Sequence, residues 1–134
     1  VNLKLAEALP KILADKNRLE QIFLNLVTNA RDAMEAKGPG AIKKLTITTT
    51  YEKDGRVVAL VSDTGTGISK QAQEKIFEPF FTTKEVGQGT GLGLSITYRL
   101  VEDFGGDIDV KSSSDKGTTF RISFPIYADE GPYR

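Results

Sequence analysis

The chain has 134 residues, neither cysteine nor histidine, and 18 basic side chains balanced by 18 acidic ones. Its length suits one domain with its own core. Its composition excludes disulfides, thiolate chemistry and any imidazole base or ligand supplied by this chain. Balanced charge argues against nucleic-acid binding, and no apolar run is long enough to cross a membrane. Because the first residues already resemble a strand, we expect the chain to be an excised fragment.

The first third of the chain predicts a long helix. Asp15 is a good N-cap, and apolar residues recur at helical spacing over residues 16–37. The sequence Gly38-Pro39-Gly40 ends this helix. Two short segments before it, residues 2–5 and 12–13, are candidate strands.

The middle of the chain predicts a hairpin followed by a short helix. Residues 45–51 are rich in threonine and isoleucine, residues 56–62 are rich in valine, and Asp54-Gly55 lies between them as a tight turn. Ser69 is a candidate N-cap for a helix over residues 70–77.

A glycine-rich connection over residues 78–91 then leads to a predicted helix over residues 92–104. A strand pair follows at residues 108–113 and 118–126, and a tail at residues 128–134 ends the chain. This alternation of helices with antiparallel strand pairs predicts an α+β domain over residues 1–127. We expect its helices to cover one face of a sheet.

The strongest functional signal is a run of four glycines at alternate positions, Gly87, Gly89, Gly91 and Gly93. Ordering glycine is entropically costly, so such a run usually serves positive φ angles or a bare backbone against a ligand. It leads into a predicted helix, whose first N–H groups favour an anion such as phosphate. A flexible surface loop is the plainer alternative. Neither the P-loop nor the dinucleotide-binding glycine motif is present.

Two asparagines in the first predicted helix form a second candidate feature. Asn25 and Asn29 are four residues apart and share one face of the helix, with Asp32 near the same face. Asparagine is unfavourable inside a helix, and its amide oxygen suits Mg²⁺ shared with substrate phosphates. A buried amide network or a polar stripe at the helix edge explains the pair equally well.

Three further segments each allow two interpretations. Asp63, followed by Gly65 and Gly67, is either a simple turn or a buried acceptor for the exocyclic amine of a planar base such as adenine. Three phenylalanines before Lys84 are either a small core beneath a loop or an aromatic hinge whose lysine reaches a phosphate. Thr118 either starts the last strand or bonds a ligand ring directly or through water.

In this order the motifs resemble the N, G1, F and G2 boxes in the catalytic and ATP-binding domain of sensor histidine kinases. That superfamily also includes gyrase, Hsp90 and MutL. The resemblance covers about residues 3–126, and the segments LVTNARDAM and FFTTK are most similar to the nitrogen-regulation branch. It implies a two-layer α/β sandwich of the Bergerat type. Such a fold has a mixed sheet of about five strands covered on one face by three helices.

The resemblance also implies roles for individual residues. Asn29 would bind Mg²⁺, and Asn25 would act beside the phosphates as a catalytic residue. Asp63 would accept from the adenine amine, with Thr118 nearby. Residues 77–91 would form a mobile lid over ATP. The other implied nucleotide-binding positions are Gly65 and Gly67, which would let the base approach, and Ile68, Phe77, Gly89, Thr90, Gly91, Leu92, Gly93 and Leu94.

The charge around the phosphates departs from the pattern of many kinases in this superfamily. They carry a basic residue three positions after the metal-binding asparagine, where this chain has Asp32, and Arg31 points elsewhere on the helix. The phosphate charge would therefore be met mainly by Mg²⁺, Lys84 and backbone N–H groups, and Lys84 or Gln88 would meet the γ-phosphate as a catalytic residue.

The function implied is ATP-dependent phosphoryl transfer to a histidine. Because this chain has no histidine, the acceptor would lie on the dimerisation domain of the same kinase, which passes the phosphoryl group to a response regulator receiver domain. We expect a cytoplasmic location, with no contact between this fragment and a membrane or nucleic acid. Two alternatives are an ATPase of the gyrase or MutL kind, which has a water-activating glutamate where this chain has Asn25, and a protein-serine kinase of the anti-sigma type.

Overall fold

The computed structural model describes residues 2–5, 12, 14–52, 55–78, 93–113 and 116–126. The elements in this part of the chain are, in order, β1 (Asn2–Lys4), α1 (Lys16–Glu35), β2 (Leu45–Glu52), β3 (Arg56–Asp63), α2 (Lys70–Gln73), α3 (Gly93–Asp103), β4 (Asp107–Ser113) and β5 (Gly117–Pro125). None of the described helices is both long and apolar enough to cross a bilayer.

The strands form one sheet in the order β1-β2-β3-β5-β4. Four strands pair antiparallel, and the short strand β1 joins β2 in parallel at the edge. The predicted mixed sheet of five strands is thus confirmed. The segment predicted at 12–13 contributes one isolated bridge, between Ile12 and Ile126, and residue 13 lies outside the described part.

The core lies between the helices and one face of the sheet. Alternate residues of β3 and β5, such as Val61 and Phe120, face Leu26 and Ala30 of α1 in a single cluster. This alternation follows from the two-residue period of a strand. The opposite face carries polar pairs such as Ser62 and Thr119, whose hydroxyl oxygens are 2.8 Å apart. The predicted two-layer arrangement is therefore present.

The helix caps follow the prediction, but all three helices end before the predicted residue, α3 at Asp103 instead of residue 104. The side chain of Asp15 accepts from the Asn17 N–H, and that of Ser69 accepts from the Ala72 N–H. The first helix ends at Glu35, and α2 ends at Gln73 instead of residue 77. After α2 the chain tightens into three-residue turns, in which the Lys75 N–H donates to the Ala72 carbonyl. The predicted turn residue Asp54 and the tail 128–134 lie outside the described part.

Candidate functional site

Asp63 is a buried carboxylate at the end of β3. It is 9% exposed, and Thr118 is its register partner on β5. Its Oδ1 accepts from the Gly65 N–H at 2.8 Å. Burial raises the pKa of Asp63, while the Gly65 and Thr118 backbone N–H groups and the Lys37 charge act in the opposite direction. The fold therefore holds an acceptor in a desolvated position, where a hydrogen-bond donor on a ligand gains most.

The two glycines after Asp63 are needed by the fold itself. A Cβ on Gly65 would lie 2.6 Å from the backbone carbon of Ala33, and the neighbouring Thr66 N–H donates to the Ala33 carbonyl at 3.1 Å. Gly67 has a φ of 76°, which favours glycine. Packing against α1 thus accounts for the bare backbone at Gly65, which sequence reasoning attributed to an approaching base.

Gly117 fixes the distance between the ends of β3 and β5. Its φ is 103°, and a Cβ there would overlap the Asp63 carbonyl oxygen. The close approach of the two backbones places Thr118, which is 5% exposed, directly beside Asp63. Two residues separated by more than fifty positions in the chain thus form one small polar site.

Ser112 on β4 joins this site to the loop after β3. Its Oγ accepts from the Ile68 N–H at 2.7 Å, donates to the Gly117 carbonyl at 2.8 Å and lies 2.8 Å from the Thr118 Oγ1. Gln73 adds two bonds, from its Nε2 to the Ile68 carbonyl at 2.8 Å and to the Ser112 carbonyl at 3.2 Å. Sequence reasoning missed Ser112 and Gln73. Ser112 could have been found from the predicted β4–β5 hairpin, because the register of that hairpin pairs Ser112 with Thr118.

An apolar wall lies next to the polar site. Ile68, Phe77 and Leu94 are partly buried against the core cluster that contains Phe120. The Phe77 ring centroid is 6.5 Å from that of Phe120 and 5.3 Å from that of Tyr98. Three residues predicted to bind nucleotide therefore pack against the same core. An apolar wall beside a buried acceptor suits a planar heteroaromatic ring.

The two asparagines of α1 lie in different environments. The Asn25 Nδ2 donates to the Gly93 carbonyl at 3.2 Å and to the Thr97 Oγ1 at 3.1 Å, and its Oδ1 accepts from Gln21 at 2.9 Å. Asn25 therefore ties α1 to the first turn of α3. Asn29 is half-buried, and its side chain bonds to no other described residue.

The two charged residues that follow Asn29 after one position, Arg31 and Asp32, form an ion pair with each other. The Arg31 Nη2 lies 3.3 Å from the Asp32 Oδ1, with 63% of the arginine side chain exposed and 25% of the aspartate. In the described ranges, no three acidic side chains come together in a way that could hold a metal ion. Lys84, Gln88, Gly89, Thr90, Gly91 and Leu92 lie outside the described residues, as does the predicted lid beyond Glu78.

The two-layer fold is shared with the catalytic domains of histidine kinases, and this sets the class of the domain. Residues 14–128 match the family described as "Histidine kinase-, DNA gyrase B-, and HSP90-like ATPase", and the chain belongs to that family.

Curated relatives make the resemblance more specific. The chain is 46% identical over 129 residues to the sensor kinase CckA of Brucella abortus, and 43% identical over 124 residues to the sensor histidine kinase ZraS of Salmonella typhi. These alignments cover 89% and 91% of this chain but only 14% and 25% of the relatives. The chain thus spans a quarter or less of the length of both proteins.

Solved structures agree with the fold. The chain is 34% identical to full-length ShkA in complex with AMPPNP, with a TM-score of 0.80 over 99% of this chain and 27% of that one. It is 36% identical to the catalytic domain of the histidine kinase ThkA, with a TM-score of 0.75 over 92% of this chain and 76% of that one. The predicted resemblance to the catalytic domains of sensor histidine kinases is confirmed, and the nitrogen-regulation branch stays a prediction.

Proposed function

We propose that this chain binds Mg²⁺–ATP and transfers the γ-phosphoryl group to a histidine on the dimerisation domain of a full-length sensor kinase. The observation that carries the proposal is the buried Asp63 carboxylate, set beside Thr118 and an apolar wall, in a chain similar to named sensor kinases. Relay to a response regulator receiver domain and a cytoplasmic location belong to the same proposal.

In this proposal one group of described residues binds the adenine ring, and Asn29 binds the Mg²⁺ ion that accompanies the phosphates. Asp63 accepts from the exocyclic amine of adenine while Ile68, Phe77 and Leu94 hold the ring. Asn29, half-buried and unbonded to other described residues, fits the requirement for a Mg²⁺ ligand that shares the ion with phosphates and water. Bound Mg²⁺ would offset the phosphate charge. Lys84 and Gln88, outside the described part, are proposed to contact the γ-phosphate and align it for an incoming imidazole.

The position of Asn25 supports a kinase over an ATPase of the gyrase or MutL kind. An amide cannot take a proton from water near neutral pH, and general-base help is typically worth about 10²–10⁴-fold in rate. Two hydrogen bonds, to the Gly93 carbonyl and the Thr97 Oγ1, also hold the Asn25 side chain against α3, and a third comes from Gln21 on α1 itself. We therefore expect slow hydrolysis by the isolated domain, with the γ-phosphate retained for a neutral imidazole, whose unprotonated nitrogen can attack without first losing a proton.

The test is a transfer assay. The chain is mixed with labelled Mg²⁺–ATP and the histidine-bearing helical domain of the full-length protein, and we expect acid-labile phosphohistidine on that domain. The Ser62→Ala variant, changed on the polar face of the sheet, serves as the matched control and should transfer at the wild-type rate. Rapid ATP turnover without transfer would move the chain to the ATPase class. An acid-stable phosphoserine on a partner would move it to the serine kinases.

A further inference from the structure

The Ser112 hydroxyl makes three contacts, and the requirement that all three are hydrogen bonds assigns the donor and the acceptor in each. The Ile68 N–H can only donate, so Ser112 Oγ accepts there, at 2.7 Å. The Gly117 carbonyl can only accept, so the one Ser112 proton is used there, at 2.8 Å. The third contact, at 2.8 Å to Thr118 Oγ1, is then a hydrogen bond only if Thr118 donates to Ser112.

This assignment determines what Thr118 offers to a ligand. Its single hydroxyl proton is committed to Ser112, so only its oxygen lone pairs are available. Thr118 then presents an acceptor beside the second acceptor, the Asp63 carboxylate, which is its register partner across β3 and β5. A ring that brings an amino group to this position can donate to both groups. A ring that brings a carbonyl oxygen meets two acceptors.

We propose that Ser112 is a positioning residue that fixes the Thr118 hydroxyl as an acceptor and so makes the site prefer a 6-amino purine over a 6-oxo purine. The inference rests on the proposed function, because it assumes that a purine nucleotide occupies the site. It adds a specificity role for a residue on β4, a strand that carries none of the predicted binding residues.

Ser112 is itself held in place. Gln73 donates to the Ser112 carbonyl and to the Ile68 carbonyl, while Ile68 donates its own N–H to the Ser112 Oγ. Both backbone polar groups of Ile68 are thus satisfied by the same small network. A hydroxyl fixed by this many partners cannot reorient when a ligand arrives, which is the condition for discrimination between donor and acceptor.

The experiment compares the affinities for ATP and inosine triphosphate, which differ at the 6-position of the purine. In Ser112→Ala the Thr118 proton is released and can turn toward a 6-oxo group. The dissociation constant for inosine triphosphate divided by that for ATP should then fall by about tenfold, which corresponds to one neutral hydrogen bond. The matched control is Ser62→Ala, which removes a serine–threonine hydroxyl contact of the same 2.8 Å length from the opposite face of the sheet. Its ratio should equal that of the wild type.

A second variant keeps the test decisive if Ser112→Ala does not fold. Thr118→Val removes the acceptor at nearly constant shape and should also lower the ratio, and the double variant should lower it no further. An unchanged ratio in a folded Ser112→Ala, or in Thr118→Val if the first variant is unfolded, overturns this inference while leaving the proposed function intact. A wild-type chain that binds neither nucleotide refutes the proposed function instead.

Discussion

Replacing Gly65 by alanine separates a packing role from a ligand-binding role for this glycine. The added Cβ would lie 2.6 Å from the Ala33 backbone carbon and 2.8 Å from its carbonyl oxygen. Since carbon atoms in contact lie about 3.5 Å apart, one backbone must shift by roughly 1 Å. Overpacking of this kind costs about 1–3 kcal/mol. A loss of ~2 kcal/mol would lower the melting temperature of a domain of this size by roughly 6–10 °C.

The assay is thermal unfolding of the chain without nucleotide, with Gly93→Ala as the matched control. A Cβ on Gly93 meets no atom of the described residues within 4 Å, and the φ of Gly93 is not positive, so alanine there should leave stability unchanged or slightly raised. If Gly65→Ala melts like the wild type and loses only nucleotide affinity, the packing argument is wrong and the glycine serves an approaching ligand.

Three further variants test the polar residues of the site. Asp63→Asn should weaken ATP binding by about ten- to a hundredfold in titrations, because a charged acceptor is lost. The same variant should stabilise the empty domain at neutral pH. Because burial raises the pKa of Asp63 in the folded state, the stability that its protonated form contributes is fully present below the unfolded pKa of 3.8. That contribution is lost as the pH rises through the folded-state pKa, and above it the buried charge opposes folding. Melting curves of the variant and the wild type at pH 3 and pH 7 check this, and an equal stability difference at both pH values would contradict it. Asn29→Ala should weaken Mg²⁺–ATP more than ATP with a chelator, whereas an equal loss would make Asn29 structural. Asn25→Ala should lower the free energy of unfolding in denaturant by about 1–2 kcal/mol. The loss is limited to this size because Thr97 still donates to the Gly93 carbonyl. An unchanged midpoint would show that the bonds from Asn25 do not hold α1 to α3.

Local features of the chain were readable from the sequence because they depend on residues a few positions apart. Asp15 and Ser69 cap helices where their neighbours predicted. The apolar spacing of α1 places Ile22, Leu26 and Ala30 in the core. The order of the motifs was also sufficient to predict the family, since that order is a property of the chain and not of its packing.

Contacts between distant segments were decided only by the tertiary structure. Asp63 and Thr118 meet because β5 inserts between β3 and β4, a register that no local pattern fixes. The same register brings Ser112 to the Thr118 hydroxyl. The helix packing gives Asn25 partners on α3, 68 and 72 positions away. Hydrogen-bonding partners at such separations are selected by the packing of the whole core, because burying each polar group demands a partner wherever the fold happens to bring one.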